Sequence, residues 1–318
     1  MSAAFSSPQC PQCGGSLPRQ ALWRTVHCSY CKAVVTLNTR WVERAGFRAA
    51  WQRAQVRPES SGAHEWLTLQ GHDYRLLGRL GHGEQADVWL AERQGNARLR
   101  AVLKLQRGSG DTLAAEAQTL RQLHGLQAAD SAYFSLRLPQ VLAVGMGRST
   151  AHDGMALALH AWPGFTASLA DVLDTHAEGL ADARHAVWLW RRVLELLAYL
   201  HRHAWCHRDL RAEHWLIHPG DHGVNLVGWG AARRGADPAI DLQQSAWTVR
   251  AALAGLNDRA PLLPARCPPA LAELLNRASE DRDWCREQGA DGLARRLTAA
   301  ALADFGPPRF VPFDARRA

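Results

Sequence analysis

From His72 onward the chain switches between two hydrophobic periods. Tyr74 to Leu80 alternates apolar and polar positions, the two-residue period of a half-buried strand. Similar short runs at Trp89-Leu90-Ala91, Leu99 to Leu105, Pro139 to Gly145 and Met155 to His160 are read as further strands. Among them, Asp111 to Leu126 turns to helical spacing, with Leu113, Leu120 and Leu123 on one side and Asp111 placed as an N-cap. Beyond His160 the helical period dominates. Helices are expected over Ser168 to His176, Ala183 to His203 (capped by Asp182), Leu242 to Leu256, Pro269 to Ser279 and Asp291 to Leu302.

The first part of the chain is patterned differently. Ala21 to His27 and Ala33 to Leu37 read as two short strands, and Arg40 to Val56 as an amphipathic helix marked by Trp41, Val42, Ala45 and Ala49. Arg57-Pro58-Glu59-Ser60-Ser61-Gly62 reads as a linker. At the other end, Phe305 to Phe313 spaces aromatic residues between prolines and cannot be helical, which predicts an extended tail lying on its own helical part. The expected organisation is a small module over 1–39, a helix and linker over 40–71, a main domain over 72–304 and a tail over 305–318.

Composition narrows the setting. The 318 residues are 47% apolar, enough for a sizeable core. The most apolar stretch, Ala186 to Leu200, is interrupted by Arg191, Arg192 and Glu195, so no membrane span is expected. The start, Met-Ser-Ala-Ala-Phe-Ser-Ser-Pro, lacks a basic region and an apolar run, so no secretory signal is expected and the chain is placed in the cytoplasm. The net charge of +7 comes from scattered arginines and reads as a solvated surface before it reads as a nucleic-acid face. Arginine is used almost to the exclusion of lysine, a bias that fits a GC-rich bacterial genome; only Lys32 and Lys104 are lysines. Each retained lysine therefore marks a place where a compact ammonium was kept over a planar guanidinium.

Two Cys-x-x-Cys knuckles, Cys10-Pro-Gln-Cys13 and Cys28-Ser-Tyr-Cys31, stand fourteen residues apart. Four thiolates on two tight turns can surround zinc tetrahedrally, and four protein ligands leave no open position for chemistry. The expectation is a structural zinc ribbon that folds with its metal. Docking to a protein or nucleic acid through this module stays open.

Further motifs carry chemistry. Gly81-His82-Gly83-Glu84-Gln85-Ala86-Asp87-Val88 sits between two predicted strands, where a glycine-rich turn lets backbone amides approach phosphate; an ordinary hairpin explains a lone glycine motif equally well. Ala101-Val102-Leu103-Lys104 ends an apolar strand in a charge, and Glu116 is the one acid between Asp111 and Asp130. Later come His207-Arg208-Asp209-Leu210 with His214, then Gly228-Trp229-Gly230, then Asp241 at the start of a helix.

Taken together these motifs resemble those of protein kinases. The resemblance implies an α+β class and a bilobal protein-kinase-like fold, with a β-rich N-lobe and a helical C-lobe, preceded by the small four-cysteine zinc ribbon. It also implies roles. Gly81, Gly83 and Val88 would cover the phosphates of ATP, and Lys104 paired with Glu116 would reach them. Backbone groups of the His160 to Trp162 hinge would meet the adenine. Asp209 would be the base, flanked by Arg208 and Arg211, and Asp241 would brace that loop. Two departures fall on one metal site. His214 stands where kinases have the asparagine ligand for magnesium, and Gly228 where they have the aspartate ligand. Imidazole nitrogen suits a hard cation poorly, so magnesium is doubtful. Asp221 falls in a turn and is no substitute. Ala231 to Ile240 is short and holds no hydroxyl side chain, so there is little platform for a peptide. The favoured expectation is a pseudokinase that keeps its nucleotide cradle and acts as regulator or scaffold for a protein partner. An atypical ATP-dependent phosphotransferase using Asp209, and a zinc-ribbon docking adaptor, are the alternatives. Histidines 201, 203, 207, 214, 218 and 222 are spaced like a metal cluster but read as helix-end, loop and core residues, and Cys206, Cys267 and Cys285 as singletons.

Overall fold

In the computed structural model the described residues are 17, 25–30, 34–36, 65–83, 85–95, 99–108, 110–128, 130–165, 167–176, 178–255 and 262–313. The expected helix over Arg40 to Val56, the linker after it, and Cys10, Cys13 and Cys31 lie outside them.

Strands β1 (Thr25–His27) and β2 (Val34–Thr36) form a separate antiparallel hairpin. Six longer strands follow: β3 (Trp66–Leu69), β4 (His72–His82), β5 (Ala86–Arg93), β6 (Leu99–Gln106), β7 (Val141–Arg148) and β8 (Asp153–His160). They close into one antiparallel barrel in the order β3-β4-β5-β6-β8-β7, with β3 also pairing β7 through Thr68–Arg148 and Leu69–Gly147. This overturns the expected bilobal protein-kinase-like fold: a closed barrel takes the place of the β-rich N-lobe. The physical cause is β3, which falls inside the stretch read as linker. Trp66-Leu67-Thr68-Leu69 alternates outward and inward, and Gln70 and Gly71, both at positive φ (49° and 74°), turn it back onto β4. Two successive positive-φ residues make the turn whose twist matches a hairpin.

Alternation fills the barrel. Leu67, Leu69, Tyr74, Leu76, Ala91, Ala101, Leu103, Leu105, Ala143, Ala156 and Ala158 form its interior core. Five of these are alanine, which suits the narrow lumen left by six strands. The outer face of β8 carries Leu157 and Leu159, and these join the second, larger core with Leu113, Ala117, Leu120 and Leu123. Those four lie on α1 (Thr112–His124), the helix predicted from Asp111; the Asp111 side chain makes no capping bond.

The helical part follows: α2 (Ser131–Ser135), α3 (Leu169–Asp174), α4 (Ala183–Arg202), α5 (Ala239–Ala254), α6 (Pro269–Glu280) and α7 (Arg282–Phe305). Ser168 and Asp171 build a capping box on α3, and Asp182 caps α4 by accepting from the Arg184 N–H. α7 breaks at Gly289, so the expected helix from Asp291 is its second half. Two short antiparallel sheets accompany these helices. One joins β9 (Ala167–Ser168), β11 (Trp215–His218) and β12 (Gly223–Leu226); the other joins β10 (Trp205–Cys206) and β13 (Arg233–Arg234). No helix among the described residues is long and apolar enough to cross a membrane.

Candidate functional site

The site gathers where the outer wall of the barrel, α1 and the segment 207–231 meet. On β6 the buried residues Ala101, Leu103 and Leu105 point into the barrel, so Lys104 points out. Its register partner Val88 flanks it on the same face. Lys104 Nζ donates to both oxygens of Glu116 at 2.6 and 2.8 Å. Glu116 is buried on α1, and its Oε1 also accepts the Trp229 backbone N–H at 3.2 Å. One carboxylate thus ties the strand lysine to the Gly228-Trp229-Gly230 turn.

The glycine turn closes with a hydrogen bond from the Gly83 N–H to the Ala86 carbonyl at 3.0 Å. Arg107 reaches across to His82 and to the Gly83 carbonyl, and His82 contacts Asp87. A Cβ placed on Gly81 would meet nothing within 4 Å. The fold therefore does not demand glycine there, and the bare backbone leaves room for a ligand to approach. In the expected hinge, the His160 N–H goes to Gln140 and the Ala161 N–H to Arg100, while the Trp162 N–H has no backbone partner among the described residues.

The loop from His207 is fixed by a buried carboxylate. Asp241, on α5, accepts the His207 N–H at 2.8 Å and the Arg208 N–H at 2.7 Å. Arg208 holds a left-handed φ of 68°, stabilised further as its carbonyl accepts from Gln244. His207 accepts the Asp209 N–H on Nδ1 (3.3 Å) and donates from Nε2 to the Val227 carbonyl (3.1 Å). Burial pushes its pKa down to about 4, so the ring is neutral at pH 7. Arg211 donates to Asp209 Oδ2 at 3.0 Å. Arg208 itself is exposed and has no ion-pair partner among the described residues. Trp205, Trp215 and Trp229 are all buried.

His214 and Gly228 meet. Gly228 sits at φ 80°, a conformation that favours glycine. A Cβ there would lie 2.4 Å from both Cε1 and Nε2 of His214 and 2.6 Å from Cδ2. Near-equal distances to three consecutive ring atoms place that point over the ring face, so the imidazole lies across the Gly228 Cα. The ring's Nδ1 donates to the Asp209 carbonyl at 2.8 Å and stands 3.4 Å from Asp209 Oδ2. The two residues read as separate departures from a magnesium site are therefore one packed unit, and His214 fills the space a side chain at position 228 would need. This donor set does not fit magnesium. The kinase resemblance links positions 214 and 228 through one metal site, but nothing in the sequence shows that the two residues pack on each other.

His201, Cys206 and Asp241 each bring one ligand atom within 4.8 Å of the others. They are committed elsewhere. Asp241 accepts the two loop N–H groups and contacts His201 Nε2 at 3.0 Å; the Cys206 thiol faces the Ala236 carbonyl and burial pushes its pKa up to about 12. This cluster is a brace. Of the four candidate zinc ligands, Cys28 is described; it is buried at the turn leaving β1.

No protein-family model matches the chain, and no curated protein matches it in sequence.

Proposed function

We propose that the chain binds a nucleotide between the glycine turn, Lys104 and Asp209, and acts through that binding as a regulator or scaffold for a protein partner. The likeness to protein kinases is then one of site chemistry, without their magnesium-assisted phosphoryl transfer. The observation that carries this reading is the His214 ring lying over Gly228. The ring takes the space a side chain at position 228 would need, and neither position offers an oxygen ligand to a metal. The assembled Lys104–Glu116 pair and the open backbone at Gly81 support retention of the phosphate cradle. Free thiols at Cys206, Cys267 and Cys285 suit a reducing, cytoplasmic setting, and the four N-terminal cysteines suit a structural zinc ribbon.

A second reading, phosphoryl transfer with Asp209 as base, is favoured by the care with which Asp241 and His207 hold the Asp209 loop. Thermal shift with ATP, with magnesium or with EDTA, separates the two. The binding reading expects a rise in Tm that does not need magnesium and is lost in Lys104→Met. Magnesium-dependent transfer of labelled phosphate that disappears in Asp209→Asn would overturn it.

A further inference from the structure

The His214 imidazole does more than fill space. Its Nδ1 is committed to the Asp209 carbonyl, but its Nε2 has no hydrogen-bond partner among the described residues and is not sealed from solvent. The side chain keeps 18% of its surface exposed, Lys104 keeps 13%, and the two are close enough for Lys104 to repel charge on the ring. We propose that His214 stands in for the metal: its Nε2 and the Lys104 ammonium together hold the terminal phosphates of a metal-free nucleotide. The proposal rests on the nucleotide-binding reading above and adds the state of the ligand, the free polyphosphate in place of its magnesium complex.

The chemistry follows from which groups face the ring. Burial is the main cause that holds its pKa below the ordinary histidine value; Asp209 opposes that, while Arg211 and Lys104 reinforce it. His207, with its ring 6.3 Å away, is neutral. Across the turn, Glu116 is already shared between Lys104 and the Trp229 N–H. The imidazole is therefore neutral at pH 7.5. Because Nδ1 already donates, Nε2 can donate to phosphate only after taking up a proton, and an entering polyanion favours that uptake. A magnesium ion on the same phosphates would be repelled by the imidazolium, so magnesium should weaken binding.

Isothermal titration of the full chain with ATP at pH 7.5 tests this, in EDTA and in magnesium, each in two buffers of different ionisation enthalpy. The expected result is uptake of about one proton per ATP in EDTA and an affinity about tenfold tighter there than in magnesium. His214→Phe keeps a ring over Gly228 but has no nitrogen. It should stay folded with a Tm lowered only by the lost bond to the Asp209 carbonyl, bind ATP about tenfold more weakly in EDTA and take up no proton. If His214→Phe loses its fold, His214→Leu, which also has no nitrogen, supplies the same comparison. Equal binding by wild type and variant without proton uptake, while Lys104→Met abolishes binding, would overturn the role of His214 and leave the nucleotide site standing. Absence of ATP binding by the folded wild-type chain in both conditions would overturn both.

Discussion

At the scale of single residues, the decisive pair is His214 and Gly228. Each replaces an expected metal ligand, and the structure makes each the reason the other is tolerated. A methyl group on Gly228 would press into the ring at 2.4 Å and would also sit at φ 80°. Gly228→Ala should therefore cost about 2–4 kcal/mol, combining overpacking with left-handed strain. Removing the ring relieves the first part only. In urea melts, the double variant Gly228→Ala with His214→Asn should be more stable than the sum of the single losses predicts by about 1–2 kcal/mol. Strict additivity would show that the two side chains do not share this space. Lys104 and Glu116, by contrast, were legible from sequence: a rare lysine ending an apolar strand and a lone acid on a helix each mark an unusual expense of charge, and the two meet at 2.6 Å.

At the scale of elements, the 207–214 loop hangs on α5 through Asp241, and the neutral His207 ring locks it to Val227. That arrangement fixes a pH dependence. The His207 pKa falls from 6.5 to about 4 on folding, so the unfolded chain binds its proton first. The stabilisation is complete above about pH 6.5 and is lost as pH falls toward 4. Each pH unit crossed in that interval should remove about 1.4 kcal/mol for this ring. Urea melts at pH 7.5, 6, 5 and 4.5 check it, with Asp237 as an internal contrast. Arginine partners hold Asp237 down at about 2, so it loses its contribution only at more acid values. A flat stability from pH 7 to 5 would contradict the buried neutral ring. The helices were readable from period and caps because each carries its own signal within a few residues, as Ser168-x-x-Asp171 and Asp182 do. The barrel was not. Its closure depends on the four-residue strand β3 pairing with β7, far along the chain, and so short an alternation before Gln70-Gly71 is lost in a polar stretch.

At the scale of the whole molecule, Ser29 and Tyr30 meet Phe310 and Phe313 beside α4. His222, 1% exposed, stacks between Trp188 (4.4 Å) and Phe310 (4.5 Å), and Phe313 packs edge-on to Trp188 and His185. The expected tail thus lies extended on the helical part. Tyr30, in the second cysteine knuckle, sets its ring edge-on to both His222 and Phe310, and Arg192 on α4 donates to Ser29. Burial pushes the Tyr30 phenol up to about 12, so it is a neutral ring at this joint. The tail therefore forms part of the seat on which the knuckle rests. Phe313→Ala should cost about 3 kcal/mol, because its ring is almost fully covered. Combined with Phe310→Ala it should do something a purely local loss would not: speed hydrogen exchange at Ser29 and Tyr30, because these residues lose one wall of their seat. Hydrogen-exchange mass spectrometry of the two variants against wild type reads this directly. Unchanged protection at Ser29 and Tyr30, with α4 alone loosened near Trp188, would mean that the knuckle holds its place without the tail.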